Sequence, residues 1–156
     1  MSGVREAGPR DLTAAARLLD AFNREYDEPT PGADALEGRL GELVATGDAI
    51  VLLAGDGPEG LALLRFRPAL WTPRLECHLA ELYVVPERRR RGLGLALMEA
   101  ALDAARVRGA DTMDLGTSVD DRGAIALYER LGFTNREGGP DGPSMLYYER
   151  DLRDDL

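Results

Sequence analysis

The feature that most constrains this chain is a junction, Leu82-Tyr83-Val84-Val85-Pro86, followed by Glu87-Arg88-Arg89-Arg90-Arg91-Gly92-Leu93-Gly94-Leu95-Ala96. The apolar, β-prone residues at its start read as a strand, and the apolar run continuing through Leu97, Met98 and Ala101 reads as a helix. A chain that turns through glycines between the two leaves the first N–H groups of the helix without partners. The helix dipole makes that same spot favourable for an anion. Four consecutive arginines add fixed positive charge and donors that match phosphate geometry. The junction therefore calls for strand and helix packed side by side, with a phosphorylated ligand at the turn.

Two common phosphate loops are excluded. The P-loop needs a lysine after its last glycine, and the chain contains no lysine. The dinucleotide fingerprint needs glycine or alanine three residues after the second glycine, where this chain has Leu97. What remains is Arg/Gln-x-x-Gly-x-Gly/Ala, met by Arg89, Gly92 and Gly94 after a strand ending Leu-Tyr-Val-Val-Pro. This pattern resembles the coenzyme A pyrophosphate loop of the GNAT N-acetyltransferase superfamily. A second stretch, Ala124-Ile125-Ala126-Leu127-Tyr128-Glu129-Arg130-Leu131-Gly132-Phe133, resembles that superfamily's other hallmark, Asn-x-x-Ala-x-x-Leu-Tyr-x-x-x-Gly-Phe, with Asp121 in place of the asparagine. The resemblance covers Leu75 to Tyr148; the N-terminal third matches only in the order of its elements.

At 156 residues the chain is expected to form a single domain over 1–156. No apolar run reaches the length of a membrane span, and the start, Met1-Ser2-Gly3-Val4-Arg5-Glu6, is not a signal peptide. The lone Cys77 permits no internal disulfide and suits a reducing cytoplasm; inside a predicted strand it reads as a packed thiol. The net charge is −9, although four arginines are gathered in one short loop. Nucleic acid needs an extended basic face, so the charge pattern argues against that class. An acidic body with one basic pocket suits an anionic coenzyme and a cationic partner.

Punctuation and periodicity give the remaining elements. Val4–Ala7 reads as a short strand, and Asp11 as the N-cap of a helix carrying Leu12, Ala15, Leu18, Leu19 and Phe22. Pro29 and Pro31 break it before a second helix over Ala33–Ala45. Ile50–Ala54 and Gly60–Phe66 form a hairpin, and Leu75–Val85 is a long strand. After the junction helix, Gly109 is its C-cap and Met113–Thr117 reads as a strand. A short helix runs from Asp120 or Asp121 to Leu131-Gly132, and Phe133–Asn135 and Met145–Tyr148 read as the last two strands. The order β-α-α-β-β-β-α-β-α-β-β describes an α/β fold, a mixed sheet covered by helices. The resemblance implies the GNAT acyl-CoA N-acyltransferase fold, with six to seven mostly antiparallel strands and about four helices.

The resemblance also implies the chemistry: direct transfer of acetyl from acetyl-CoA to a primary amine in a ternary complex, without a metal. Leu82, Tyr83 and Val84 would hold the pantetheine arm through backbone groups, and a backbone N–H near Val84 would meet the developing oxyanion. Arg89, Arg90, Arg91, Gly92, Leu93, Gly94 and Leu95 would surround the pyrophosphate, with Ala124 on the coenzyme side of the second motif. Tyr128 matches the tyrosine near the coenzyme sulfur, and a phenol with an ordinary pKa of about 10 can protonate a departing thiolate. Asp121 either accepts from the coenzyme or caps its helix.

The proton acceptor stays open between His78 and Glu81, with water as the alternative to both. Strict alternation puts Glu76, His78 and Ala80 on one face and Cys77, Leu79 and Glu81 on the other, unless a bulge near Glu81 changes the phase. The acceptor is expected to be a small cationic amine (polyamine, amino acid or aminoglycoside) walled by Tyr26 and Trp71. Protein N-terminal or lysine acetylation is the second enzyme reading, and a non-catalytic acyl-CoA-binding module the third. A homodimer is implied by the resemblance alone.

Overall fold

The computed structural model describes residues 3–155, so Met1 and Ser2 of the polar start lie outside it. Residues up to Leu115 form one compact unit, and the chain from Gly116 onward forms a second.

The first unit is a five-stranded sheet in the order β1-β2-β3-β4-β5, made of β1 Val4–Glu6, β2 Ala49–Ala54, β3 Gly60–Pro68, β4 Leu75–Val84 and β5 Ala110–Asp114. All neighbours are antiparallel except β4 and β5, which are parallel and joined through helix α3, Leu93–Val107. That crossover is what parallel pairing requires, since a tight turn cannot return the chain in the same direction. Every residue of β2 is buried, as expected of an uninterrupted apolar strand with no solvent face.

Helices α1, Leu12–Glu25, and α2, Ala33–Ala45, build one core with the sheet. Leu12, Ala15, Leu18 and Leu19 of α1 pack with Leu40 of α2 and with Val51, Leu53, Leu61, Leu63 and Tyr83 of the strands. Leu97, Met98 and Ala101 of α3 are fully buried, and α3 lies against β2, β3, β4 and β5. Gly60 suits this packing, because a Cβ there would sit tightly against Leu97 Cδ1 at 3.0 Å and the Tyr83 carbonyl at 3.3 Å. Asp11 does stand at the N-cap of α1, but its carboxylate accepts from the Gly8 N–H and pairs with Arg5, closing the turn before the helix instead.

The second unit holds α4, Arg122–Arg130. The two strands expected at its end are absent. Phe133–Asn135 and Met145–Tyr148 are joined only at a single bridge, Arg136 to Ser144, with the Glu137 and Met145 N–H groups bonded to the Pro143 and Asn135 carbonyls. Pro143 has no N–H to extend the ladder, and Leu146, Tyr147 and Tyr148 are exposed, so no buried face holds them in register. Among the described residues the sheet therefore has five strands, not six or seven. The fifth also lies earlier than expected, at Ala110–Asp114 instead of Met113–Thr117. Gly109, at φ +91°, turns the chain straight into the sheet, and only Ala110 of that strand is buried.

Candidate active site

The site is organised by β4, which is paired on both sides at one end and on one side at the other. Its pairing with β5 runs from Leu75 and Ala110 to His78 and Asp114 and stops there, while β4 continues to Val84. The Val85 N–H bonds the Glu59 carbonyl at 2.9 Å, on the β3 side. By strand alternation the backbone groups of Leu82 and Val84 then point to the opposite edge, which no strand covers among the described residues. That edge leads to the arginine–glycine loop.

Gly92, at φ +82°, is the N-cap of α3, and no side chain caps the helix. The first intrahelical bond is Ala96 N–H to the Gly92 carbonyl, 3.0 Å, which leaves the Leu93, Gly94 and Leu95 N–H groups for a ligand. A Cβ at Gly92 would meet nothing within 4 Å, so the space over this turn is open. The four arginines divide. Arg88 pairs with Glu59. Arg89 turns inward: its Nε donates to the Val84 carbonyl at 2.9 Å, its other two nitrogens hold both Glu25 oxygens at 2.7 and 2.8 Å, and its Cζ lies 5.6 Å from the Tyr83 ring centroid. Arg90, at φ +64°, and Arg91 are exposed and make no ion pair among the described residues.

Glu25 ends α1, where the dipole disfavours an anion. Arg89, and then the Tyr83 hydroxyl at 2.8 Å, hold its carboxyl below the ordinary range despite some burial. Burial and the neighbouring Glu25 push the Tyr83 phenol up to about 12. Tyr83 also stacks on Phe22, ring centroids 4.7 Å apart, and Phe22 meets Tyr26 edge-on. Tyr26 is half-exposed, and Trp71, in the loop before β4, is almost fully exposed.

The anticipated bulge is present. Leu63 of β3 faces Glu81, but the next residue, Leu64, faces Leu79, so Ala80 is the extra residue. Arg65 faces His78, and Arg65 and Leu63 share a face of β3, so His78 and Glu81 emerge on the same side of the sheet. Strict alternation is corrected here; one inserted residue unites the two candidate bases. Burial pushes the Glu81 carboxyl up, partly offset by His78.

Asp114, which the sequence did not single out, lies across from His78, with Nδ1 and Oδ1 2.6 Å apart. Against an ionised carboxylate, which only accepts, Nδ1 is the donor, and in the neutral ring Nε2 is then the acceptor. The signal for Asp114 was tertiary: it is 36 residues from His78. Cys77, one residue earlier, points into the core, where burial pushes its thiol up to about 11 and keeps it inert.

In the second unit Tyr128 is buried edge-on to Phe133, centroids 5.9 Å apart, and its hydroxyl makes no hydrogen bond among the described residues. Burial, then Asp121, raises its pKa, so the phenol stays protonated at neutral pH. Asp121 caps α4, accepting from the Ala124 N–H at 3.1 Å.

Comparison with known proteins gives the family. The model of the acetyltransferase (GNAT) family matches residues 14–133. This chain is a GNAT-family protein. Among crystal structures, a proposed acetyltransferase from Arthrobacter sp. FB24 superposes with a TM-score of 0.87 at 45% identity, over 96% of this GNAT chain and 95% of that one. An uncharacterised N-acetyltransferase of Bacillus subtilis, YhfO, is 28% identical over 86% of this chain and 91% of its own length. A mycothiol acetyltransferase of Clavibacter michiganensis is 41% identical over 54% of this chain, but the match spans only 27% of that longer protein. The GNAT fold and N-acetyltransferase class follow, and the family uses acetyl-CoA as co-substrate. Among the described residues there is no cluster of three or more His, Cys, Asp or Glu suited to a metal, and no helix long and apolar enough to cross a membrane.

Proposed function

We propose that this GNAT protein acetylates a primary amine of a small molecule, with His78 taking the amine proton. The observation that carries the reading is the end of β4–β5 pairing at His78 and Asp114, followed by a free β4 edge that runs to an uncapped helix N-terminus. Acetyl-CoA supplies a thioester-activated acetyl group. The open turn at Gly92, the unbonded N–H groups of Leu93, Gly94 and Leu95, and the free guanidinium groups of Arg90 and Arg91 fit a pyrophosphate. The Leu82 backbone and the Val84 N–H are available along the edge; the Val84 carbonyl is already bonded by Arg89. Arg89 accordingly shapes the loop and edge, and the phosphate contacts fall to its neighbours.

His78 is preferred over Glu81 because it comes with an orienting partner. Asp114 fixes the tautomer, presents Nε2 to the amine, and stabilises the imidazolium formed when the proton arrives. Glu81, on the same face, adds negative potential that draws in an ammonium group. Tyr128 serves as the acid for the departing thiolate. Asp121 remains a helix cap in this scheme. A homodimer, implied by the family resemblance alone and tested by sedimentation, belongs to the same proposal, as does a reducing, cytoplasmic setting suited to the single thiol of Cys77.

The test is steady-state turnover of acetyl-CoA with a panel of amines, comparing His78→Ala with Glu81→Gln. Loss of a general base lowers kcat by about 10²-fold, so that loss is expected in the histidine variant and a smaller one in the glutamate variant. The reverse order would move the base to Glu81.

A further inference from the structure

Arg65 on β3, His78 on β4 and Asp114 on β5 stand side by side in one cross-strand row. Asp114 is bonded to His78. One rung further out, Arg67 and Glu76 neutralise each other through a 2.5 Å ion pair. Arg65 is different: it is exposed and makes no ion pair or hydrogen bond among the described residues. These five side chains, with Phe66 and Cys77, line a recess of about 280 Å³. It lies below the usual volume of drug-sized sites and suits a small metabolite.

The recess is electrically dipolar. An unpaired guanidinium stands on one wall, a carboxylate on the other, and the proposed base between them. Neighbouring strands are about 4.8 Å apart, so the two walls stand roughly 10 Å apart at the backbone, and the long arginine side chain can lean toward the imidazole. An amine presented to His78 Nε2 therefore has a planar, five-donor fork beside it, a geometry that favours a carboxylate. A diamine would instead bring a second cation against Arg65. The charge on this row selects a molecule carrying both signs.

Building on the acetyltransferase reading of His78, we infer that the acceptor is an amino acid: a primary amine and a carboxylate on one small molecule, with Arg65 holding the carboxylate. This narrows the acceptor beyond the net acidity of the chain, which favours any cation alike.

Thiol release from acetyl-CoA, measured with free amino acids, with their carboxamides and with aliphatic diamines, tests it. One charge-assisted, bidentate contact favours the free acids over their carboxamides by about tenfold or more in kcat/KM. Arg65→Gln raises KM for the acids by about tenfold and collapses that ratio, while KM for acetyl-CoA moves by less than about twofold; Arg65→Lys recovers part of the loss. Carboxamides or diamines used as well as the acids, or an unchanged KM in Arg65→Gln, would overturn the inference and leave acetyl transfer standing. Thiol release only with other amines, such as aminoglycosides, would overturn this inference alone, whereas no release with any amine of that wider panel would overturn the acetyltransferase reading as well.

Discussion

In the proposed mechanism, His78 takes its role from one contact. A neutral imidazole offers a donor and an acceptor, and an ionised Asp114 at 2.6 Å from Nδ1 favours the donor there. Replacing Asp114 by asparagine keeps the size but lets the ring meet either an oxygen or an NH2 group. Asp114→Asn should lower kcat by about 10- to 100-fold with little change in KM for acetyl-CoA, as steady-state kinetics would show. Tyr128→Phe removes a phenol that burial keeps protonated, and turnover should slow by at least about tenfold in the same assay. Unchanged turnover would remove Tyr128 from the acid role. Glu25 makes a prediction of another kind. Its carboxyl is held low by Arg89, so its contribution to stability is present above the ordinary carboxylate pKa and is lost as pH falls through the lowered one. Thermal unfolding should place Glu25→Gln below the parent at neutral pH, with the gap closing in acid. A gap that persists or widens in acid would contradict the sign. Neither the His78–Asp114 nor the Glu25–Arg89 partnership could be read along the chain: Asp114 is 36 residues from His78, and Arg89 is 64 from Glu25.

At the scale of elements, the junction of β4 and α3 carries the coenzyme hypothesis. Gly92 sits in the left-handed region and opens onto free space, so a side chain there is strained and intrudes on the ligand. Gly92→Glu also brings negative charge to a site suited to an anion. Thermal-shift titration should show stabilisation by acetyl-CoA in the parent and none in this variant, with circular dichroism confirming that the variant is folded. The elements readable from sequence were those whose apolar pattern matched a face buried locally: α2 over Ala33–Ala45, α3 after Gly92, and β4 from Leu75. Met145–Tyr148 carries the same apolar signal but buries no common face, and the apolar cue of Met113 and Leu115 placed β5 three residues late. The bulge at Ala80 depends on how β3 and β4 are paired, which no single-strand pattern contains. The arginine–glycine loop was legible for the opposite reason, because its chemistry is local.

For the whole molecule, the net charge of −9 and the two exposed arginines at the α3 turn divide the attractions. On the proposed reading, a polyanionic coenzyme is repelled by the body and held at one turn, so its binding should be concentrated in a few backbone amides and two side chains. The most direct test is calorimetric titration of acetyl-CoA into the full chain, beside the double variant Arg90→Ala, Arg91→Ala. Two charge-assisted phosphate contacts carry about 1.5–3 kcal/mol each, so saturable binding in the parent should weaken by at least about tenfold in the variant. Absence of binding in the parent, or the same affinity in both proteins, would contradict the account.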